Sequence, residues 1–298
     1  MNVGGWKNEE LFGGWTKQLG TPFDDLGNSV FTDSLGNIFV TGETGEGLDG
    51  NIYSGKSDIF LIKYNSSGTK QWTKQLGTPS IDLGIGVTTD SLGNIYVTGE
   101  TGESLDGNTN SGKSDIFLIK YNSSGTKQWT EQLGTPSIDL GISVTTDSLG
   151  NIYLTGFTKG GLDGNINSGK SDIFLIKYNS SGTKQWTKQL GTPSSDSGNS
   201  VSTDSSGNIY VTGFTKGGLD GNISSGESDI FLIKYNSSGT RRWTKQLGTP
   251  SFESGSGVTT DPLGNIYVTG TTLGELDGNN YGEKDIFLIK YNSAGTLQ

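Results

Sequence analysis

The sequence predicts an all-β fold, a five-bladed β-propeller of 57-residue, four-stranded blades, and three observations carry that expectation. First, Asp115-Ile-Phe-Leu-Ile-Lys-Tyr-Asn-Ser-Ser-Gly-Thr-Lys-Gln-Trp129 recurs five times with small edits. Its tryptophan falls at Trp15, Trp72, Trp129, Trp186 and Trp243, in steps of 57 residues, and a fixed period of this kind marks a repeat architecture. Second, each period holds four strand-like segments, too wide for one coil of a β-helix and suited to a radial four-stranded sheet. Third, the last copy stops one residue before its tryptophan, while Trp15-Thr-Lys-Gln-Leu19 stands at the other end. The two remnants predict that an N-terminal strand around residues 15–19 completes the C-terminal blade and closes the ring, removing two raw sheet edges. An excerpt of a larger ring is the alternative.

The boundaries that follow are an N-terminal extension, 1–14, and a single propeller domain, 15–298. Its blades lie near 22–77, 78–134, 135–191, 192–248 and 249–298, the last joined by 15–21.

Residues 78–134 justify each element in order. Thr78-Pro-Ser-Ile-Asp82 is turn chemistry, with proline fixing φ and Ser and Asp able to bond back to the chain. The segment 83–90, built of small and β-branched residues, is the strand for the crowded axis. Ser91-Leu-Gly-Asn94 is a tight turn whose glycine can take positive φ. Ile95-Tyr-Val-Thr98 is the second strand, and a long polar connection follows it. Asp115-Ile-Phe-Leu-Ile-Lys-Tyr121 is apolar on both faces, as a strand covered on both sides must be. Asn122-Ser-Ser-Gly125 turns the chain into Gln128-Trp-Thr-Glu-Gln-Leu133, an amphipathic outer strand.

Composition narrows the chemistry. The chain has no cysteine and no histidine, which excludes disulfides, thiolate or histidine metal sites and Ser-His-Asp nucleophiles. A pair of carboxylates remains, so glycoside hydrolysis is a remote alternative. The net charge of −10 argues against nucleic acid and against anionic membranes. No segment has the ~18 apolar residues of a membrane span, so no membrane insertion is expected. The first residues lack a basic start followed by an apolar run and do not read as a signal peptide. That leaves either a cytoplasmic protein or a mature form without its leader.

Gly-Asn-Ile-Tyr-Val-Thr-Gly followed at a distance by Asp-Ile-Phe-Leu-Ile-Lys-Tyr-Asn-Ser-Ser-Gly-Thr-Lys-Gln-Trp resembles the bacterial SBBP β-propeller repeat family, over residues 15 to 298. The resemblance implies the propeller fold and export from a bacterium, since such repeats occur in diverse surface and secreted proteins. It implies no particular ligand.

Strand alternation sorts the loops. The Ser-Leu-Gly-Asn and Asn-Ser-Ser-Gly turns share one end of the sheets, and the Thr-Pro-Ser turn and long Leu-Asp-Gly-Asn loop share the other. Only the second has enough chain to build a site. Asp25, Asp82, Asp139, Asp196 and Glu253 stand just before the innermost strand, where five carboxylates either cap their own turns or ring the channel mouth around a cation or ligand. Asp49 and Asn51 recur as Asp106 and Asn108, Asp163 and Asn165, Asp220 and Asn222, and Asp277 and Asn279, extended by Asn110 and Asn167 in two copies. Alternating oxygen side chains resemble the start of a calcium loop, but the glycine is displaced and no bidentate glutamate follows. An Asx-turn is the favoured reading, and no cofactor other than calcium is expected.

Asp58, Asp115, Asp172, Asp229 and Asp285 are expected to bond to turns, and Lys63, Lys120, Lys177, Lys234 and Lys290 to pair with acids between blades. Variation concentrates in the long loop, where Glu43 and Glu100 become Phe157, Phe214 and Thr271. The function expected is a non-enzymatic, lectin-like monomer presenting up to five related sites to a glycan or protein. The alternative is a purely structural domain for surface display or adhesion.

Overall fold

The structure, a computed structural model, describes residues 14–298. Sheet 1 runs β1 (Asp25–Thr32), β2 (Ile38–Thr44), β3 (Asp58–Tyr64) and β4 (Lys70–Leu76). Sheet 2 repeats it with β5 (Asp82–Thr89), β6 (Ile95–Thr101), β7 (Asp115–Tyr121) and β8 (Lys127–Leu133). Sheet 3 holds β9 (Asp139–Thr146), β10 (Ile152–Thr158), β11 (Asp172–Tyr178) and β12 (Lys184–Leu190). Sheet 4 holds β13 (Asp196–Thr203), β14 (Ile209–Thr215), β15 (Asp229–Tyr235) and β16 (Arg241–Leu247). Sheet 5 has three strands, β17 (Glu253–Thr260), β18 (Ile266–Thr272) and β19 (Asp285–Tyr291). Strands within a sheet lie in chain order and pair antiparallel.

Local chemistry explains each element. The β-branched and aromatic runs Ile-Tyr-Val-Thr and Asp-Ile-Phe-Leu-Ile-Lys-Tyr favour strands, and tight turns separate them. In the first of these, Gly93 sits at φ 78°, a conformation that would strain a side chain. Asp90 accepts from the backbone N–H groups of Leu92 and Asn94 at 2.9 Å and from the Asn94 side chain at 2.8 Å. The innermost strand is bulged, with the register of β5 on β6 shifting between Gly84 and Gly86.

The five innermost strands β1, β5, β9, β13 and β17 pack in succession and together line a central cavity of about 320 Å³. Small residues lie along it, among them Ser29, Gly86, Ser143, Ser200 and Ser256, and no acid or base. The core lies between sheets. The forward face of sheet 1, with Phe39, Ile59, Leu61, Trp72 and Leu76, meets the rear face of sheet 2, with Val87, Val97, Phe117, Ile119 and Tyr121. The same apolar junction recurs between sheets 2 and 3, 3 and 4, and 4 and 5. Burial of this repeated surface is the main stabilising term.

Among the described residues the structure does not show the expected closure. Residues 14–20 make no strand, and no pairing of this segment with β19 occurs among the described residues. Trp15 packs instead on sheet 1, 6.2 Å from the Tyr64 ring and against Gly68. That is the place Trp72 takes on the next sheet, against Gly125. Among the described residues nothing covers the outward faces of sheets 1 and 5: Val30 of β1 is 63% exposed, and Ile286 and Leu288 of β19 are 90% and 74% exposed. The proposed extension 1–14 lies, except for Gly14, outside the described residues. At the chain's end, Leu297 bridges Tyr291 as the first contact of a fourth strand on sheet 5.

Candidate functional site

Of the two readings for the acids that precede the innermost strands, the structure shows the cap: each holds its own turn, and they do not ring the channel. Asp82, Asp139, Asp196 and Glu253 are buried between sheets. Asp82 accepts from the Thr78 N–H at 2.6 Å, the Thr78 hydroxyl at 2.8 Å and the Thr101 hydroxyl. Glu253 accepts from the Thr249 N–H, the Thr249 hydroxyl and the Thr272 hydroxyl at 2.7, 2.6 and 2.9 Å. Asp25 makes the same contacts with Thr21 and Thr44 from a half-buried position. Each acid ties its preceding turn to the end of the second strand. Burial pushes the Asp139 and Asp196 carboxyls up, against the threonine hydrogen bonds that favour the charged form.

A second buried acid lies beside each of these. Asp115 adds to the upward push on Asp139, and Asp172 to that on Asp196. Asp58 accepts through Oδ2 from the Ser54 N–H and the Gln75 side chain, both at 2.9 Å. Its Oδ1, like that of Asp115, Asp172 and Asp229, has no hydrogen-bond partner and stands directly against a glycine, Gly77 in sheet 1. A side chain at Gly77 would collide with it, which accounts for the invariant Leu-Gly-Thr-Pro that follows each outer strand. These acids close loops, as expected.

The long loop does not crown the end of the sheet. It folds back along the outer strand. The Leu48 N–H donates to Gln75 Oε1 at 2.8 Å, and the Gln75 amide donates to the Glu46 carbonyl at 3.2 Å. Leu48 is buried. Asp49, in the left-handed region at φ 56°, meets Lys70 at 2.5 Å and accepts from the Thr73 hydroxyl at 2.8 Å. Asp106, Asp163 and Asp220 meet Lys127, Lys184 and Arg241 in the same way. The Asn51 amide donates to the Leu48 carbonyl at 2.8 Å, as do Asn108, Asn165 and Asn222 to their leucines. Asn108 also reaches the Thr130 carbonyl on the edge of β8 at 3.1 Å. Asn110 and Asn167 donate to Gly112 and Gly169 within the loop at 2.9 Å. Asp277 accepts from the Asn279 N–H at 3.1 Å.

In four copies a lysine or arginine takes the carboxylate oxygen that a cation would need. Among the described residues no cluster of three or more acids is placed to hold a metal. The loop instead covers the outer sheet edge, which would otherwise present unpaired backbone groups. Lys70 and Thr73 draw the Asp49 carboxyl below its ordinary range.

Nor do the strand lysines pair with acids. Lys63 donates to the Ser123 carbonyl of the next sheet at 3.0 Å and lies 5.5 Å over the Phe39 ring. Lys120, Lys177 and Lys234 repeat this bond with Ser180, Ser237 and Ser293.

What remains accessible at the loop-bearing end is the position that varies between copies. Glu43, Glu100, Phe157, Phe214 and Thr271 each sit one residue before the end of the second strand and are half-buried. Burial raises the Glu43 carboxyl, and the neighbouring Glu100 raises it further. Burial also raises Glu100. Farther round the array, Phe214 lies 6.3 Å from Phe252 of the next sheet. The variable position therefore gives one acidic sector and one aromatic sector. Sequence reasoning flagged Phe157 and Phe214 but missed the coupling of the two glutamates. It also missed Gln75, Gln132, Gln189 and Gln246, whose identity in every outer strand was the available signal.

The repeats, sheets and central cavity define a β-propeller-type protein. The model of the β-propeller repeat, SBBP, matches residues 14–49, 71–106, 128–163, 185–220 and 242–277, and the chain belongs to that family. It is 27% identical, over 86% of its length, to an uncharacterized WD repeat-containing protein, L264, of Acanthamoeba polyphaga mimivirus. It is also 27% identical, over 57% of its length, to the regulatory protein FlaEY of Caulobacter vibrioides. The matches cover 26% and 22% of those relatives, so the chain spans about a quarter of their length.

Among solved structures, a protein of unknown function from Bacteroides caccae aligns at TM-score 0.46 and 12% identity, over 91% of this chain and 79% of that one. A luciferin-regenerating enzyme aligns at 0.45 and 15%, over 89% and 78%. A glycoside hydrolase family 43 arabinoxylan arabinofuranohydrolase from Bacillus subtilis aligns at 0.46 and 14%, over 92% and 65%. Among the described residues no helix is long and apolar enough to cross a membrane.

Proposed function

We propose that this protein is a non-enzymatic binding module that takes a carbohydrate at the loop-bearing end of its sheets. Phe157, Phe214 and Phe252 offer apolar faces for sugar C–H groups, and Glu43 and Glu100 accept from sugar hydroxyls. The observation that carries this reading is the contrast between a scaffold repeated almost residue for residue and a single half-buried strand-end position that changes from Glu to Phe to Thr. Variable side chains on a rigid frame are how binding surfaces are built. Five related positions give weak contacts that add through avidity on a multivalent ligand. A bacterial cell-surface or secreted setting, where glycans are met, belongs to the same proposal.

The test is a glycan array followed by titration of any hit. Phe214→Ala and Glu100→Gln should each weaken binding roughly tenfold, the equivalent of about 1.4 kcal/mol. Absence of any hit, or a hit indifferent to both changes, would return the protein to the alternative of a structural display or adhesion domain.

A hydrolytic reading has one observation in its favour, the upward push on the Glu43 carboxyl from burial and from Glu100 beside it. Acid and base roles on paired carboxylates need such a shift. Turnover of aryl glycosides that disappears in Glu100→Gln would favour it over simple binding.

A further inference from the structure

We propose that the junction of sheets 3 and 4, at the loop-bearing end, takes an anionic saccharide, with a sugar ring on Phe157 and its acid group on Lys159 and Lys170. The site rests on the carbohydrate reading above and deepens it by naming the class of sugar. Three positions change together between the sheets, and the turn geometry dictates how.

The second strand runs out through Glu-Thr-Gly-Glu in sheets 1 and 2, at residues 43–46 and 100–103. In sheets 3 and 4 it runs out through Phe-Thr-Lys-Gly, at residues 157–160 and 214–217. One of the last two places is crowded, and glycine takes it. In sheet 2 this is the first place, where a Cβ on Gly102 would meet Ser80 Oγ at 2.4 Å, and Glu103 projects from the second. In sheets 3 and 4 the glycine comes one place later. A Cβ on Gly160 would meet Thr135 Oγ1 at 2.4 Å, and one on Gly217 would meet Thr192 Oγ1 at 2.7 Å.

The projecting residue is then Lys159 or Lys216, two residues beyond the phenylalanine. Positions i and i+2 share a face of a strand. The Lys159 N–H continues the pairing of β10, donating to the Ile138 carbonyl at 3.0 Å. Phe157 lies on the face of β10 whose Thr155 stands against Gly198 of sheet 4. Moving the glycine therefore reverses the charge at the strand end and sets an ammonium on the same side as the aromatic ring.

A second charged position completes each junction. Lys56, Lys113, Lys170 and Glu227 each donate a backbone N–H to a serine carbonyl of the next sheet at 3.0 Å. Apart from the buried acids that every junction holds, sheets 1 and 2 meet with two glutamates against one lysine, as do sheets 2 and 3. Sheets 4 and 5 meet with Lys216 against Glu227. Only sheets 3 and 4 meet with two lysines and no acid. Lys159 and Lys170 are exposed, and among the described residues neither belongs to an ion pair. On a chain of net charge −10, this is the junction that draws an anion while its neighbours repel one. The aromatic partner differs as well. Phe214 packs 6.3 Å from Phe252, whereas Phe157 has Ser195 at that place, a smaller residue that leaves the half-buried ring open on that side and adds a hydroxyl.

The test titrates the whole chain, by NMR or calorimetry, with tetragalacturonate, its uncharged methyl ester and a sulfated galactan tetrasaccharide. Tetragalacturonate should bind roughly tenfold more tightly than the ester at low salt, and the difference should shrink as salt screens the lysines. Lys159→Ala combined with Lys170→Ala should abolish the preference, with melting and the ester's affinity unchanged. Lys56→Ala combined with Lys113→Ala, at the positions matching Lys170, should leave the preference intact. Phe157→Ala should weaken both sugars. Tighter binding of the sulfated probe through the same lysines would also support the site, and would identify sulfate rather than carboxylate as the group it takes. Equal binding of acid and ester would overturn the proposal while leaving the carbohydrate reading in place. A preference that survives loss of Lys159 and Lys170, or that polyglutamate shares, would overturn it too. So would binding of none of the three probes, with the glycan array then deciding the carbohydrate reading separately.

Discussion

Leu118 and Leu288 occupy the same place in the same heptapeptide, Asp-Ile-Phe-Leu-Ile-Lys-Tyr, yet one is 1% exposed and the other 74%. The difference is not in the strand but in whether a neighbour covers its forward face. Each internal junction joins two faces that the repeat necessarily reproduces at both ends of the array. The apolar pattern of a propeller strand therefore describes a junction, not a buried residue. A chain of such sheets carries unsatisfied surface wherever the succession stops.

The largest expected effect tests that contrast at its apolar centre. Leu118→Ala should lower stability by about 2–5 kcal/mol in urea unfolding, the range for large-to-small changes in a packed core. Leu288→Ala should stay within about 0.5 kcal/mol, as exposed substitutions do. Equal losses at the two positions would mean that sheet 5 is covered in solution.

Next come the buried acids. Asp115 accepts from the Ser111 N–H and the Gln132 amide at 2.8 and 2.9 Å, and Asp115→Asn should cost about 1–3 kcal/mol by disturbing both bonds. Asp285 in sheet 5 accepts from the Tyr281 N–H alone among the described residues, so Asp285→Asn should cost less than about 1 kcal/mol. Comparable thermal shifts for the two would break the comparison. Gly141→Ala should then destabilise by about 1–3 kcal/mol through collision with Thr98. Gly27→Ala, which meets nothing closer than 3.9 Å, should leave the protomer's unfolding midpoint where it is.

The smallest effect is in pH. Burial raises the Asp139 and Asp196 carboxyls in the folded protein, so between the ordinary carboxylate value and the raised one the folded state binds more protons. Stability should fall as pH rises through that window. Asp49 is held low by Lys70. Its contribution is present above the ordinary value and is lost as pH falls through and below it. Asp139→Asn should make the first slope shallower, leaving the share of Asp196, and leave the second unchanged, as melting curves from pH 3 upward would record.

Much of this fold was legible in the residues. The period fixed the number of sheets, and β-branched runs between Gly-Asn turns fixed strands such as β6 and β7, because pattern and turn chemistry act locally. The long loop was misplaced because its course depends on Gln75 and Lys70, more than 20 residues ahead of Leu48 and Asp49, and on an outer edge that needs covering. For the acids at Asp82 and its counterparts the residues left turn cap and channel ring both open, because sequence gives position along a strand but not the side to which a short side chain turns; the structure shows the cap. Closure was illegible for a related reason. Copies can be counted, but whether the first and last sheets meet depends on contacts between sheets, such as Thr41 on Gly84, which a strand pattern does not encode.

The most direct measurement exploits the absence of cysteine. Thr98→Cys with Gly141→Cys places two thiols across an internal junction, and Thr269→Cys with Gly27→Cys places them on the two end faces; the contact of Thr98 with Gly141 is close enough for a disulfide to form. Mild oxidation should bridge the first pair within one chain, reversed by reductant, and leave the second pair reduced. A second pair that bridges as fast as the first would contradict the account.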